Sequence, residues 1–273
     1  MFTTTAADGT QIEAEDIGRG PAVVVAGPGS DSGTSWNAVA EQLAGRLRLL
    51  QLHRRQYRLD LRQPGGVTMA VEASDLVDVI TAVGPPVVAV GHSSGGVAVL
   101  EAMLRAPEAF LGACLYEPAV TIADEPWDEP LEAALRAIEA NRPGRAMTIF
   151  SRDIVKMPGW ISAVGGALVA AIPRYRRLAP AQIYDTKAIH DLGNRLDAYR
   201  AIALPVLLIS GERSPAHLGE RIDALLNVLP NAEKSVLHGT GHTANRRAPK
   251  QLAEVVGAFA ERISVTRAAP PLE

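Results

Sequence analysis

Apolar and polar positions follow two alternating patterns along most of the chain. Short runs rich in Val and Leu have the composition of buried strands, and they alternate with longer stretches whose apolar residues are three or four positions apart, as in helices. Strands that alternate with helices predict an α/β fold, a mostly parallel sheet wound with helices on both faces. The predicted buried strands are 22–26, 48–52, 86–90, 111–116, 205–209 and 234–237.

The same patterns predict a hairpin at the start of the chain, helices between the strands and a tail at its end. Asp8-Gly9 predicts a hairpin turn before a strand at 11–17. Helical spacing predicts helices at 35–44, 69–83, 97–104, 217–229 and 250–263. The polar, Pro-containing end of the chain, 264–273, is predicted to be a disordered tail.

The alternation stops between 118 and 201, where prolines, tryptophans and amphipathic segments replace it. Helices are predicted at 129–140, 161–172 and within 180–199. This texture predicts a helical lid inserted into a core formed by 1–117 and 202–263. Four lid side chains are candidates for contact with a hydrophobic ligand, with packing inside the lid as the alternative: Trp127, Met157, Trp160 and Tyr184.

The strongest chemical signal is the run Gly91-His92-Ser93-Ser94-Gly95 between a Val-rich strand and a helix. A Gly-x-Ser-x-Gly turn in this setting is a nucleophile elbow, in which small flanking residues let strand and helix approach and expose the Ser93 hydroxyl. With this motif the chain resembles the α/β-hydrolase superfamily over nearly its whole length. The resemblance implies an α/β-hydrolase fold, and it includes lidded esterases and lactone hydrolases such as those that open zearalenone.

A serine needs a base, and the loop after the last strand offers His238 and His242. The resemblance implies a histidine late in this loop and after a glycine, which favours His242 and leaves His238 a structural role. Two other histidines are candidate substrate contacts: His92 lies beside the nucleophile, and His53 ends a strand at the same sheet edge.

The third member of a triad is a carboxylate that orients the histidine. Where the resemblance implies an aspartate, beyond the strand at 205–209, this chain has Ser214. Two glutamates remain as alternatives. Glu117 follows the strand at 111–116, the acid position of the zearalenone lactone hydrolases, and is favoured over Glu212.

An oxyanion hole needs two N–H donors. The resemblance implies the backbone of Ser94 for one and the turn after the strand at 22–26 for the other. That turn reads Ala26-Gly27-Pro28-Gly29, and Pro28 has no N–H to donate. Gly29 serves instead if the turn is shifted by one residue.

These residues predict a serine-dependent hydrolase of an ester or lactone in a hydrophobic small molecule, with Ser93, His242 and Glu117 as the triad. The alternative is a non-hydrolytic lyase or cyclase on the same fold, acting on a polyketide-like metabolite. A ligand-binding protein without catalysis is disfavoured because Ser93 and His242 are both present. Arg54 and Arg55, in the loop after the strand at 48–52, are interpreted as structural or surface charges.

Composition and net charge limit the kinds of binding partner that are expected. The net charge of −3 argues against nucleic acid and against an anionic membrane as partners. One cysteine, Cys114, allows no disulfide framework, and the first residues lack the pattern of a signal peptide, so a cytoplasmic setting is expected. No spacing predicts a metal site or a cofactor. The expected partner is a small hydrophobic substrate, with a homodimer left open.

Overall fold

An eight-stranded sheet runs through the centre of the molecule. The structure, a computed structural model, describes residues 1–61, 65–122 and 127–268, with side chains to 265. The strand order is β1-β2-β4-β3-β5-β6-β7-β8. The strands are β1 (Phe2–Thr5), β2 (Gln11–Gly18), β3 (Ala22–Ala26), β4 (Arg48–Leu52), β5 (Val87–His92), β6 (Phe110–Tyr116), β7 (Val206–Gly211) and β8 (Ala232–Leu237).

Only β2 runs against its neighbours, since it pairs antiparallel with β1 and β4, and all other pairs are parallel. The Asp8-Gly9 turn closes the β1–β2 hairpin, with Gly9 at φ 85° and the Thr10 N–H donating to Asp8 Oδ1 at 2.9 Å. The predicted hairpin and parallel sheet are therefore confirmed.

The central strand β5 shows why the sheet needs helices on both sides. Val87 and Ala89 pack into the core on one face, while Val88 and Val90 pack into the core on the other, and all four are buried. A strand buried on both faces requires a continuous apolar run rather than an alternating one. This is the pattern of residues 86–90.

Helices cover the two faces. Helices α1 (Asn37–Leu43), α10 (Ala244–Arg247) and α11 (Pro249–Ala268) pack on one face, and α2 (Met69–Val83), α3 (Ser94–Arg105) and α9 (Ala216–Val228) pack on the other. A 3-10 turn, Arg55–Tyr57, follows β4, and another, Pro107–Ala109, precedes β6.

The segment between β6 and β7 is helical. It contains α4 (Asp128–Glu139), α5 (Pro143–Ile149), a π-helical turn (Phe150–Ile154), α6 (Gly159–Ala171), α7 (Pro173–Leu192) and α8 (Leu196–Tyr199). Within its described residues it adds no strand to the sheet, and only an isolated bridge joins Thr121 to Asn194. Its role as a lid stays a prediction.

Two boundaries differ from the sequence predictions. Helix α7 begins at Pro173 and continues through Pro180, although Pro180 leaves the carbonyl of Arg176 without its helical partner. The helix predicted within 180–199 is therefore present but begins seven residues earlier, at Pro173. Helix α11 continues past Ile263 to Ala268, with Ser264 Oγ donating to Ala260 O at 2.7 Å. No Gly or Pro interrupts the chain before Pro270, so 264–268 is helix rather than tail, and 269–273 lies outside the described residues.

In the described ranges, none of the helices combines the length and the apolarity that crossing a membrane requires.

Candidate active site

Ser93 stands between β5 and α3 in a conformation that few residues adopt. Its φ of 55° and ψ of −123° are strained for a residue with a side chain, and its N–H donates to Tyr116 O at 3.0 Å. The glycines around it are required by space. A Cβ on Gly91 would lie 2.5 Å from Gly96 Cα, and one on Gly95 would overlap the carbonyl of Ala26. This tight turn holds the hydroxyl of Ser93 beyond the end of the strand.

His242 is hydrogen-bonded to Glu117. The His242 Nδ1–H donates to Glu117 Oε2 at 2.6 Å, and the second oxygen, Oε1, accepts the N–H of Gly211 at 2.7 Å. Glu117 is fully buried and has a φ of 43°, a strained value for a residue other than glycine. The bond to Glu117 fixes the His242 tautomer and leaves Nε2 as the acceptor.

The loop that carries His242 is fastened at three backbone atoms. Tyr116 Oη donates to Gly241 O and accepts the Ala244 N–H at 3.2 Å, and His92 Nε2 donates to His242 O at 3.0 Å. His92 and Tyr116 are register partners at the ends of β5 and β6, and their rings stack at 4.5 Å. The parallel sheet therefore aligns two side chains that bind the backbone of the His242 loop.

His92 is a neutral residue in this arrangement. Burial lowers its pKa well below the ordinary value, and the charge of His242 lowers it further. Because a carbonyl only accepts, Nε2 carries the proton, and Nδ1 is buried without a hydrogen-bond partner. The described contacts of His92 are with Trp36, Tyr116 and the His242 loop, and its predicted contact with substrate stays a prediction.

The alternative base and acid form a separate pair at the surface. His238 is 80% exposed at its side chain, and its Nδ1 lies 3.5 Å from Glu212 Oε1. Glu212 also accepts the Gly239 N–H at 2.7 Å, and that bond, followed by the one to His238, lowers its pKa. Within the described residues, neither His238 nor Glu212 forms a hydrogen bond or an ion pair with His242.

Ser214, at the place where an aspartate was expected, has a buried hydroxyl with no hydrogen-bond partner. A Cβ on Gly211 would lie 2.8 Å from Ser214 Oγ and 2.8 Å from Gly241 Cα. The close packing leaves the end of β7 free of a side chain, and the Glu117 carboxylate binds the backbone there instead.

Arg54 makes four hydrogen bonds beside the elbow, one of them to the turn after β3. Arg54 Nη1 donates to Ser94 Oγ at 2.7 Å and to Gly27 O at 3.3 Å, Nη2 donates to Asp185 Oδ1 at 2.8 Å, and Nε donates to Glu72 Oε2 at 2.6 Å. All three charged side chains are buried. Burial alone would lower the pKa of Arg54, but the Asp185 and Glu72 carboxylates outweigh it and raise the pKa above its usual range.

Helix α7 reaches the same turn through Gln182. Its Oε1 accepts Ser30 Oγ at 2.9 Å, and a Cβ on Gly29 would clash with the Gln182 amide. Among the described hydrogen bonds, neither Gly29 N–H nor Ser94 N–H has an acceptor. These two donors are therefore free.

The remaining predicted substrate contacts are scattered. His53 lies against the carboxylates of β2, with its Nε2 3.3 Å from Glu15 Oε1. Trp127 is buried in the core with Arg221 over its ring at 5.5 Å. Trp160 is 73% exposed. The two half-buried residues are Met157 and Tyr184, and Tyr184 packs beside Gly66.

The described part of the chain contains neither a hydrogen bond between the candidate serine and histidine nor a group of side chains that could hold a metal ion. No hydrogen bond joins Ser93 Oγ to His242 Nε2 there, a contact that is often long without substrate. No group of three or more His, Cys, Asp or Glu side chains is placed to hold a metal ion.

Sequence reasoning missed the residues that support the site. Tyr116 was placed only as a strand residue, and Asp185 and Gln182 were placed only in a helix. Arg54 was interpreted as structural, which its buried contacts bear out, but its bond to Ser94 was not foreseen. Its place directly after β4, at the sheet edge where the elbow ends, was the available signal.

Comparisons with known proteins identify the family and the fold. Residues 22–255 match the sequence profile of the Alpha/beta hydrolase family. An alpha/beta hydrolase from Sphaerobacter thermophilus is 25% identical, with a TM-score of 0.80 over 94% of this chain and 99% of its own. No curated protein matches the sequence.

Two further solved structures share the fold at lower identity. A thermophilic esterase from Thermogutta terrifontis is 20% identical, with a TM-score of 0.74 over 96% of this chain and 98% of its own. An enzyme described as degrading N-acyl homoserine lactones is 21% identical, with a TM-score of 0.69 over 93% of this chain and 99% of its own.

Proposed function

The chain belongs to the alpha/beta hydrolase family, and from that premise we propose that it hydrolyses an ester or lactone of a hydrophobic small molecule through Ser93, His242 and Glu117. The observation that carries the proposal is the 2.6 Å bond from His242 Nδ1 to the buried carboxylate of Glu117. That bond directs the basic nitrogen of His242 away from the acid and leaves it available to a hydroxyl.

The chemistry follows from these groups. His242 Nε2 takes the proton of Ser93 Oγ as the oxygen attacks the substrate carbonyl carbon, and Glu117 stabilises the imidazolium that forms. The tetrahedral intermediate collapses as His242 returns the proton to the leaving alkoxide, which leaves an acyl group on Ser93. Water activated by His242 then releases the acid.

The oxyanion is proposed to bind the free N–H groups of Ser94 and Gly29. Pro28 supplies no donor, so the shifted register predicted for this turn assigns the second position to Gly29. Arg54, which donates to Ser94 Oγ and Gly27 O, connects the two sides of this proposed hole.

The substrate class rests on the fold and on similarity. The similar structures include one described as an esterase and one described as degrading N-acyl homoserine lactones. Both reactions attack a carbonyl that carries an alkoxide leaving group, which suits the proposed site. We propose that the helices between β6 and β7, with Met157 and Tyr184 among their side chains, line the binding site for the apolar part of the substrate.

Labelling with a fluorophosphonate tests the nucleophile. The wild-type protein should be labelled and should cleave p-nitrophenyl esters of short acyl chains, and Ser93→Ala should lose both properties while keeping its circular dichroism spectrum. Ester cleavage retained by Ser93→Ala would overturn the covalent mechanism.

A lyase or cyclase is the second candidate, and Pro28 is the observation that favours it. If the oxyanion hole has one donor rather than two, acyl transfer loses stabilisation that elimination or cyclisation does not need. Turnover in ¹⁸O-labelled water separates the two, because hydrolysis places ¹⁸O in the product acid and the alternatives do not.

A further inference from the structure

Helix α6 presents three large apolar side chains to solvent. The helix, Gly159–Ala171, contains no charged residue. Trp160, Val164 and Leu168 are four positions apart and so share one side of the helix, where they are 73%, 55% and 51% exposed. Ile172 extends the row beyond the end of the helix. A contiguous apolar patch of this kind on a protein surface usually marks an interaction site.

The opposite side of α6 explains why these residues face outward. Its buried residues are Ser162 and Gly166, and a Cβ on Gly144 of α5 would lie 2.5 Å from Gly166 O. The two helix backbones therefore touch through their smallest residues. Helix α6 buries Ser162 and Gly166 against α5 and leaves Trp160, Val164 and Leu168 exposed. An ordinary amphipathic helix does the reverse, since it packs its large apolar residues against the core.

The segment that contains α6 is rich in positive charge. Residues 142–177 contain seven Lys or Arg and one acidic residue, whereas the whole chain has a net charge of −3. The acidic residue, Asp153, is already paired with Arg152. Within the described residues, five exposed basic side chains have no ion-pair partner: Arg142, Arg145, Lys156, Arg176 and Arg177.

A cavity adjoins the apolar row on its basic side. It has a volume of about 430 Å³ and lies between α5, α6 and the start of α7. Its lining residues include Arg142, Arg145, Arg176 and Thr148 together with Ala167 and Ala170 of α6. A cavity with cationic walls on one side and an apolar helix on the other fits a charged group attached to an aliphatic chain.

We propose that this surface, the row on α6 with the arginines around it, binds the surface of an anionic phospholipid bilayer. Helix α6 would lie in the plane of the interface, with Trp160, Val164 and Leu168 at the boundary of the acyl chains and the arginines on the phosphate groups. Trp is suited to this depth, since its ring is apolar and its N–H is polar.

Charge decides against a second copy of the chain as the occupant. A twofold interface through α6 would bring the unpaired arginines of both copies together, and like charges repel. The expectation of no membrane partner came from the net charge of the whole chain, which averages away the local excess. The lipid proposal does not depend on the proposed hydrolysis.

Vesicle sedimentation and tryptophan fluorescence test the proposal together. The wild-type protein should co-sediment with vesicles of phosphatidylcholine and phosphatidylglycerol and far less with phosphatidylcholine alone. Trp36 and Trp127 are buried, so a blue shift of the emission on anionic vesicles would report Trp160. Trp160→Phe should lose the shift and keep the sedimentation.

Two sets of variants separate the contributions of charge and apolar surface. Arg142→Glu/Arg145→Glu/Arg176→Glu should weaken vesicle binding by about tenfold or more, because each lipid-facing cation contributes to the attraction. The matched control reverses three exposed basic residues elsewhere, in Arg19→Glu/Arg105→Glu/Lys250→Glu, and should bind nearly as the wild type does.

The apolar variant is Val164→Ser/Leu168→Ser, which should weaken binding at any salt concentration without changing the thermal midpoint, since both side chains are exposed. Three results would overturn the proposal: no binding of the wild-type protein to anionic vesicles at low salt, equal loss in the two charge variants, or a dimer in analytical ultracentrifugation that Leu168→Ser dissociates.

Discussion

At the scale of single residues, the surroundings of Glu117 support its proposed role as the acid. Its carboxylate binds a histidine on one oxygen and the Gly211 N–H on the other, while it is fully buried. A buried carboxylate with both oxygens occupied is held rigidly, and it stabilises positive charge on the imidazole more than an exposed one does. Glu212, which is exposed and bonded to Gly239, lacks this environment.

Replacing each glutamate tests the assignment of the acid. Glu117→Gln keeps the size of the side chain but removes its charge, so kcat for ester cleavage should fall by about two to four orders of magnitude. Glu212→Gln should change kcat by less than about twofold, as expected at an exposed site. Full activity in Glu117→Gln together with loss in Glu212→Gln would reverse the assignment.

The two histidines of the final loop give a parallel test. His242→Ala should lower kcat by on the order of 10³-fold or more, because the proposed base is gone. His238→Ala, at a side chain that is 80% exposed, should leave kcat nearly unchanged. Steady-state kinetics on one ester decide the matter, and a strong effect at His238 alone would show that the wrong histidine was chosen.

At the scale of elements, parallel strand ends converge on one edge and bring their side chains together. His92 ends β5, Tyr116 ends β6, and both bind the backbone of the loop after β8. The buried His92 is neutral in the folded protein, whereas in the unfolded chain it is protonated below its ordinary pKa of 6.5. The unfolded state therefore binds more protons in acid, and stability falls as the pH decreases below about 6.5.

Substitution of His92 should remove this acid sensitivity. The wild-type protein should lose up to about 1.4 kcal/mol of stability per pH unit from this one group between roughly pH 6.5 and 5. In His92→Gln, whose amide can still donate to His242 O, that part of the slope should disappear. Urea unfolding at several pH values measures it, and identical slopes in both proteins would rule out His92 as the titrating group.

Arg54 bonds to α2, α3, α7 and the turn after β3, so its substitution should lower the stability of the fold. Arg54→Met leaves Glu72 and Asp185 buried without their cation, which should cost about 3–5 kcal/mol in urea unfolding. The control is Arg46→Met. Arg46 forms an exposed pair with Glu261, and its loss should cost about 1 kcal/mol or less. Equal costs would show that burial adds nothing to the Arg54 pairs.

At the scale of the whole molecule, α7 connects the helical segment to the sheet edge. The Asp185 carboxylate accepts hydrogen bonds from Arg54 and Tyr57. The Ala181 carbonyl accepts one from Gln56 Nε2 at 2.7 Å. Burial raises the pKa of Tyr57 well above its usual range, and the charge of Asp185 raises it further, so the phenol remains a donor. The segment is thus held by polar bonds that are themselves buried.

Weakening that connection should loosen the segment without loosening the sheet. In Asp185→Asn the backbone amides of α4 to α7 should exchange hydrogen roughly tenfold faster, while those of β3 and β5 keep their protection. Asp197→Asn, at a side chain 98% exposed, serves as the control and should leave both unchanged. Uniform acceleration across the molecule would show that the segment does not open separately.

The sequence alone was sufficient for the alternation of strands and helices and for the strand–Ser93–helix turn, since both depend on local spacing and on residues adjacent in the chain. It also favoured Glu117 over Glu212 through the absence of an aspartate at Ser214. It did not give the start of α7 at Pro173, because a proline inside a helix, as at Pro180, is a local preference that tertiary packing can outweigh.

Tertiary structure alone decided the rest, because it joins residues far apart in the chain. The Arg54–Asp185 pair spans 131 positions, and the His92–His242 bond spans 150. No local pattern encodes such contacts. The outward face of α6 is of the same kind. The sequence predicted the helix and left Trp160 between ligand contact and packing inside the lid, whereas in the structure Gly166 packs against Gly144 and Trp160 is exposed.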